Sequence, residues 1–170
     1  VTVDNRQAAR FYDNFSSAGI DIDSNAPGDS FFISFFLKPE TSGRQCVLNL
    51  SNGVKLFSNN GRLTIKKWDN GEEEIDCGAL PVGAWTLVEF FSGEGRSMAR
   101  ASGGSYTFLP IAPYPWKAYF GDNVYDSNPT RSVGQIFLID LASVNTMVKP
   151  GRVIDTQVPA YISAIQPLNG

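Results

Sequence analysis

Short runs of apolar residues at every second position alternate with clusters of glycine, proline, asparagine and aspartate. Val54 and Leu56 alternate with polar neighbours, as do Leu63 and Ile65. Asn52-Gly53, Asn59-Asn60-Gly61 and Asp69-Asn70-Gly71 separate these runs. Asn-Gly between alternating runs is the strongest local hairpin signal, because both residues accept the left-handed backbone of a tight turn. The pattern predicts strands over 11–22, 31–38, 45–50, 54–57, 62–67, 72–77, 84–91, 98–101, 106–109, 117–120 and 133–141. At most one short return strand is expected beyond Val144. Residues 1–10 show no clear period, and no 3.6-residue apolar period persists long enough for a helix. The expectation is all-β: a two-sheet antiparallel β-sandwich whose buried layer collects the Phe-rich runs.

The run FFISFFLK, Phe31 to Lys38, is the most apolar. AWTLVEFF, Ala84 to Phe91, alternates in a way that suits burial on both faces, and Trp85 is read as buried. Lys117 to Phe120 and Val133 to Leu141 flank a loop rich in oxygen-bearing side chains. Such loops on rigid scaffolds often carry function. Tyr119 and Phe120 are assigned to the core.

Composition narrows the function classes. The 170 residues suit one domain, expected over 1–148, with an extension at 149–170 that packs on the domain or on a neighbour. A chain of this length needs no staple. A net charge of −3 without a basic stripe argues against nucleic acid, and no apolar run is long enough to insert in a membrane as a helix. Val1 in place of Met is read as the mark of a processed protein or a piece of a longer one. Cys46 and Cys77 are read as core thiols, with a single bridge as the other reading. There is no histidine, which removes the commonest general base, the usual nucleophile triads and the usual zinc ligands.

Four segments in order resemble the concanavalin A-like lectin and glucanase superfamily, above all its laminin-G-like domains. They are FFISFFLKP (31–39), NGRLTI (60–65), LPVGAWTLVEF (80–90) and VGQIFLIDLA (133–142). The resemblance implies a jelly roll, and a carbohydrate, calcium or protein partner.

Relatives that hydrolyse glycans carry Glu-x-Asp-x-Glu on one strand. Period-2 alternation aims all three carboxylates at the substrate, where one attacks and another protonates the leaving group. Here Glu74 and Asp76 begin the pattern and Gly78 ends it, so the acid has no occupant. Relatives that are polysaccharide lyases have a Tyr-rich segment somewhat like YFGDNVY (119–125), together with a Gln-x-His that this chain lacks. Tyr125 with Arg131 is the remaining lyase pair.

Glycan sites pair an aromatic platform with planar polar groups. The candidates for ligand binding are Tyr114, Trp116, Asp122, Asn123, Tyr125 and Asp126, with Trp68 as a second platform. Asp122 and Asn123 are the candidate calcium ligands. The expected function is a non-catalytic, lectin-like carbohydrate-binding module of an extracellular or virion-surface protein. The alternatives are a structural or oligomerisation domain of a viral or phage fibre or adhesion protein, with further copies of the chain as partner, and a polysaccharide lyase or glycoside hydrolase.

Overall fold

The computed structural model describes residues 1–12, 17–21, 30–51, 53–67, 74–93, 95–109, 117–121 and 136–149. In chain order the strands are β1 (Thr2–Val3), β2 (Arg6–Tyr12), β3 (Ser17–Asp21), β4 (Ser30–Pro39), β5 (Gln45–Leu50), β6 (Val54–Asn59) and β7 (Arg62–Lys67). Then follow β8 (Ile75–Ala79), β9 (Thr86–Gly93), β10 (Arg96–Ala101), β11 (Thr107–Leu109), β12 (Lys117–Gly121), β13 (Ile136–Asp140) and β14 (Asn145–Lys149). An eight-stranded sheet runs β1-β2-β13-β4-β9-β10-β11, with β14 also on β4. A six-stranded sheet runs β3-β12-β5-β6-β7-β8. The expected antiparallel sandwich is therefore the observed one, and the described residues contain no α-helix.

Alternation fills the space between the sheets. β4 sends Phe31, Ile33, Phe35 and Leu37 inward, and β9 sends Val88 and Phe90. Leu56, Leu63, Ile65, Ala118 and Phe120 meet them from the other sheet. Phe35 and Phe120 touch edge to face across the gap, with ring centroids 4.9 Å apart. Phe11 stacks on Phe137 at 4.9 Å. In β5 a bulge between Cys46 and Leu48 breaks the alternation, so Val47 and Leu48 both join the core.

Turn chemistry fixes two hairpins. Asn60 and Gly61 have φ of 49° and 76° and join β6 to β7 with Asn59 opposite Arg62. Two central residues with positive φ match the right-handed twist of the flanking strands. Asp4 and Asn5, at 51° and 63°, do the same between β1 and β2. The sequence flagged the first hairpin and missed the second, because Asp-Asn is a weaker signal than Asn-Gly.

Trp85 differs from its expected burial. It precedes β9 and is half-buried on the outer face of the eight-stranded sheet. Its Nε1–H donates to Asp4 Oδ2 at 3.0 Å, and the Arg6 guanidinium lies 5.4 Å from its ring. The indole thus ties the first hairpin to the sheet, a partnership visible only once the chain has folded. β9 likewise buries one face fully and the other by half.

The last apolar run ends in a short 3-10 turn, Leu141–Ser143, between β13 and β14. β13 pairs with Leu37–Pro39 of β4, and β14 pairs with Ser30–Ser34 on the same side. Ser143 bridges the interruption: its Oγ accepts the Phe36 N–H at 2.8 Å and donates to the Asp140 carbonyl at 2.7 Å. The C-terminal extension expected at 149–170 lies outside the described residues apart from Lys149.

Cys46 and Cys77 are both buried free thiols. Their strands are separated by β6 and β7, about 14 Å of sheet and beyond disulfide reach. Burial, helped by the Asp76 charge, pushes the Cys77 pKa up to about 12, so this thiol is inert.

Close approach of β4 and β9 makes a sharp stability test. A Cβ built on Gly93 would lie 2.8 Å from the Ser30 Cα. Gly93→Ala must push the two strands apart at their ends. It is expected to cost about 1–3 kcal/mol, read from a shifted urea midpoint.

Candidate functional site

The outer face of the six-stranded sheet collects polar and aromatic side chains that the alternation keeps out of the core. Residues opposite one another on neighbouring strands share a face. The registers align Gly19, Tyr119, Asn49, Lys55 and Lys66 in one row across β3, β12, β5, β6 and β7. Four inter-strand steps make this row about 19 Å long, enough for several sugar rings in line.

Tyr119 is half-buried on this face and does not join the core, unlike its neighbour Phe120. Ala118 and Phe120 take the inward positions of a strand that strictly alternates, which leaves Lys117 and Tyr119 outward. A Cβ on Gly19 would lie 3.5 Å from Tyr119 Cε1 and 3.4 Å from Lys117 Cε. Tyr119 therefore rests against bare β3 backbone, with the Lys117 ammonium 5.5 Å from its ring centre. Asn49 and Lys55 follow, only 7% and 1% exposed.

A second row, Cys46, Phe57, Thr64 and Asp76, runs beside the first. Phe57 points outward, and the Arg44 guanidinium covers its ring at 3.8 Å. Arg44 pairs with Glu74, which also accepts from Thr64 Oγ1 at 2.7 Å and from Asn59 Nδ2 at 3.3 Å. Burial raises the Glu74 pKa, but the hydrogen bonds from Thr64 and Arg44 and the Arg44 charge outweigh it, and the carboxyl stays below its ordinary value. Asp76 is held low by hydrogen bonds from Arg62 and then from the Gly78 N–H. The two carboxylates do share a face, as the spacing predicts. Glu74 is a largely buried brace, Asp76 is exposed on the surface and paired with Arg62, and neither is poised to donate a proton, since a catalytic acid needs a raised pKa.

The candidates Tyr114, Trp116, Asp122, Asn123, Tyr125, Asp126 and Trp68, and the lyase pair Tyr125 and Arg131, lie outside the described residues. Their strand neighbours are described: Lys117–Gly121 is β12 and Arg62–Lys67 is β7, both in the six-stranded sheet. Among the described residues no three potential ligands converge to hold a metal. Sequence reasoning missed Asn49, Lys55, Lys66 and the outward Tyr119. Strict alternation within KAYFG was the available signal, since a lysine two residues away marks the face of Tyr119.

This two-sheet arrangement is a concanavalin A-like jelly roll, and the comparisons with known proteins agree. No protein-family model and no curated protein matches the chain. The fold is similar to that of the alginate lyase AlyC3 in complex with dimannuronate (TM-score 0.57, 8% identity, covering 87% of this chain and 76% of that one). It is also similar to domains LG4-5 of the mouse laminin α1 chain (0.56, 17% identity, 87% and 43%). A heptameric SAP-like pentraxin from Limulus polyphemus is a third likeness (0.53, 11% identity, 86% and 77%). The chain spans less than half of the laminin fragment. At these identities the likeness defines the fold.

Proposed function

We propose that this protein is a non-catalytic carbohydrate-binding module that presents the outer face of its six-stranded sheet to a polysaccharide. The observation that carries the reading is Tyr119, half-buried and outward, with Lys66 half-buried in the same row and Lys117 beside it, while Asn49 and Lys55 lie buried between them. An aromatic ring offers the C–H face of a sugar a surface, and ammonium groups at half-exposed positions favour sugars that carry carboxylates. The acids of the second row are already engaged by Arg44 and Arg62 and do not oppose an anionic chain. The alginate lyase of this fold holds dimannuronate, which supports a uronate-bearing ligand here. We extend the site to Tyr114, Trp116, Trp68, Tyr125 and Asp126, and calcium at Asp122 and Asn123 belongs to the same proposal. An extracellular or virion-surface setting follows from such a ligand.

A second reading is an assembly module. Phe108, Met98, Phe91, Phe32 and Met147 stand opposite one another across five strands on the outer face of the eight-stranded sheet. Phe108 is 59% exposed. An apolar row on a solvent face suits self-association.

One set of measurements separates the readings. Calorimetric titration with neutral and acidic polysaccharides, with and without calcium, is expected to show saturable binding to an acidic one. Silence across the panel would sink the binding reading. A stable oligomer in sedimentation together with that silence would favour assembly. Growth of absorbance from new carbon–carbon double bonds in the bound polysaccharide would identify a lyase, with Tyr119 as the first base to test.

A further inference from the structure

The strand break between β13 and β14 opens a cavity of about 270 Å³ on the opposite face of the sandwich. It is lined by Arg6, Ser34, Phe36, Leu87, Asp140, Ala142, Ser143 and Asn145. The 3-10 turn lifts the chain away from β4, and Ser143 replaces only one of the missing backbone contacts. What remains is a hollow whose floor is Phe36 and Leu87, neighbours in register on β4 and β9.

The polar groups around this floor are prepared for a partner. The Ser34 side chain is 2% exposed in a residue that lines the cavity, and its Oγ has no hydrogen-bond partner. A buried hydroxyl without a partner costs free energy that a ligand hydroxyl or carbonyl would recover. Asn145, opposite Ser34 in register, donates one long bond of 3.5 Å from Nδ2 to the Ser143 carbonyl, which leaves its side-chain oxygen open. Arg6 is fixed by its ion pair with Asp140 and by the Phe36 ring 4.7 Å beneath it. Asp140 in turn accepts the Ala142 N–H at 3.1 Å, so the carboxylate end of the ion pair is positioned by the break itself. One guanidinium nitrogen serves Asp140, and the remaining N–H groups are free to donate.

We propose that this cavity is a second binding site that takes a neutral, hydroxyl-rich ring the size of one pyranose. The charges lining it cancel, since Arg6 and Asp140 neutralise each other, and this disfavours an ion. The apolar floor suits the C–H face of a sugar, and Ser34, Asn145 and Arg6 supply a donor-acceptor, an acceptor and donors for its hydroxyls. The site lies on the eight-stranded sheet, away from Tyr119, and is independent of the binding face proposed above. With both sites the module bridges two glycan chains, or two parts of one.

The test is an NMR titration of the full, nitrogen-15-labelled chain with methyl glucoside, methyl mannoside and methyl galactoside, each to about 50 mM, well above a millimolar Kd. At least one sugar is expected to shift the backbone amides of Ser34, Phe36, Leu87, Ser143 and Asn145 saturably. Ser34→Ala is expected to weaken that response about tenfold, and Ser34→Leu, which fills the hollow, to abolish it. Ala142→Trp, at an exposed position on the rim, should also block it and covers the case in which Ser34→Leu does not fold. Tyr119→Ala should leave it intact, so loss of the polysaccharide face and loss of this site read differently. The proposal is overturned if no sugar shifts these amides, if the shifts survive both blocking variants, or if the same amides shift on dilution, which would assign the hollow to a second copy of the chain.

Discussion

Tyr119→Ala is expected to weaken polysaccharide binding about thirtyfold while leaving the thermal midpoint nearly unchanged. The ring lies against Gly19 on one side and leaves a half-buried, rigid surface on the other. A preorganised tyrosine is the side chain most often dominant in a binding surface, because it gives contact area at low conformational cost. A loss of about 2 kcal/mol corresponds to the thirtyfold change. The core loses little, since Ala118 and Phe120 hold β12 in place. Tyr119→Phe separates ring from hydroxyl: binding that survives it comes from stacking, and binding lost in both variants needs the phenol. Undiminished calorimetric affinity in Tyr119→Ala would move the site off this face.

Glu74→Gln is expected to lower stability by about 2–3 kcal/mol at neutral pH, a drop of roughly 5–10 °C in the thermal midpoint for a domain of this size. The side chain is 15% exposed and accepts from Arg44 in the loop before β5, from Asn59 on β6 and from Thr64 on β7. Glutamine keeps the shape but removes the charge that Arg44 faces over Phe57. The sign with pH follows from the direction of the shift. The folded-state pKa of Glu74 lies below its ordinary value of 4.5, so the folded state binds the proton less well than the unfolded chain. Its contribution is complete above about pH 4.5 and fades as pH falls through the lower folded-state value. The gap between wild type and Glu74→Gln should therefore close on acidification, measured as thermal midpoints from pH 7 down to about pH 3. A gap that widens in acid would show a raised pKa, and with it a carboxyl able to act as a general acid.

Turn residues located β5 and β7 at their ends, and β7 also alternates cleanly. Periodicity located the Phe-rich run of β4 but not which of its phenylalanines, Phe31 and Phe35, face the core. It failed at residues 1–10, where β1 and most of β2 have little apolar signal of their own and exist because β13 pairs with β2. It misjudged Tyr119 and Trp85, because an aromatic residue is apolar enough to be read as core, and only the neighbouring strands decide which face it takes. Within the candidate face, Glu74 and Asp76 were legible as a pair on one face. Their partners Arg44, Thr64, Asn59 and Arg62 were not, because no local rule joins a carboxylate to residues 10 to 30 positions away in the chain.

The sequence by itself determined that this protein is an all-β sandwich and that it has no histidine for acid-base chemistry. Those properties are local: alternation, turn residues and composition act within a few positions. Only the tertiary structure decided that Tyr119, Asn49, Lys55 and Lys66 form one row and that Glu74 is a brace. It alone showed that the interruption after Asp140 hollows the opposite sheet beneath Arg6. These depend on register between strands distant in the chain, which is fixed when the two sheets close on a shared core.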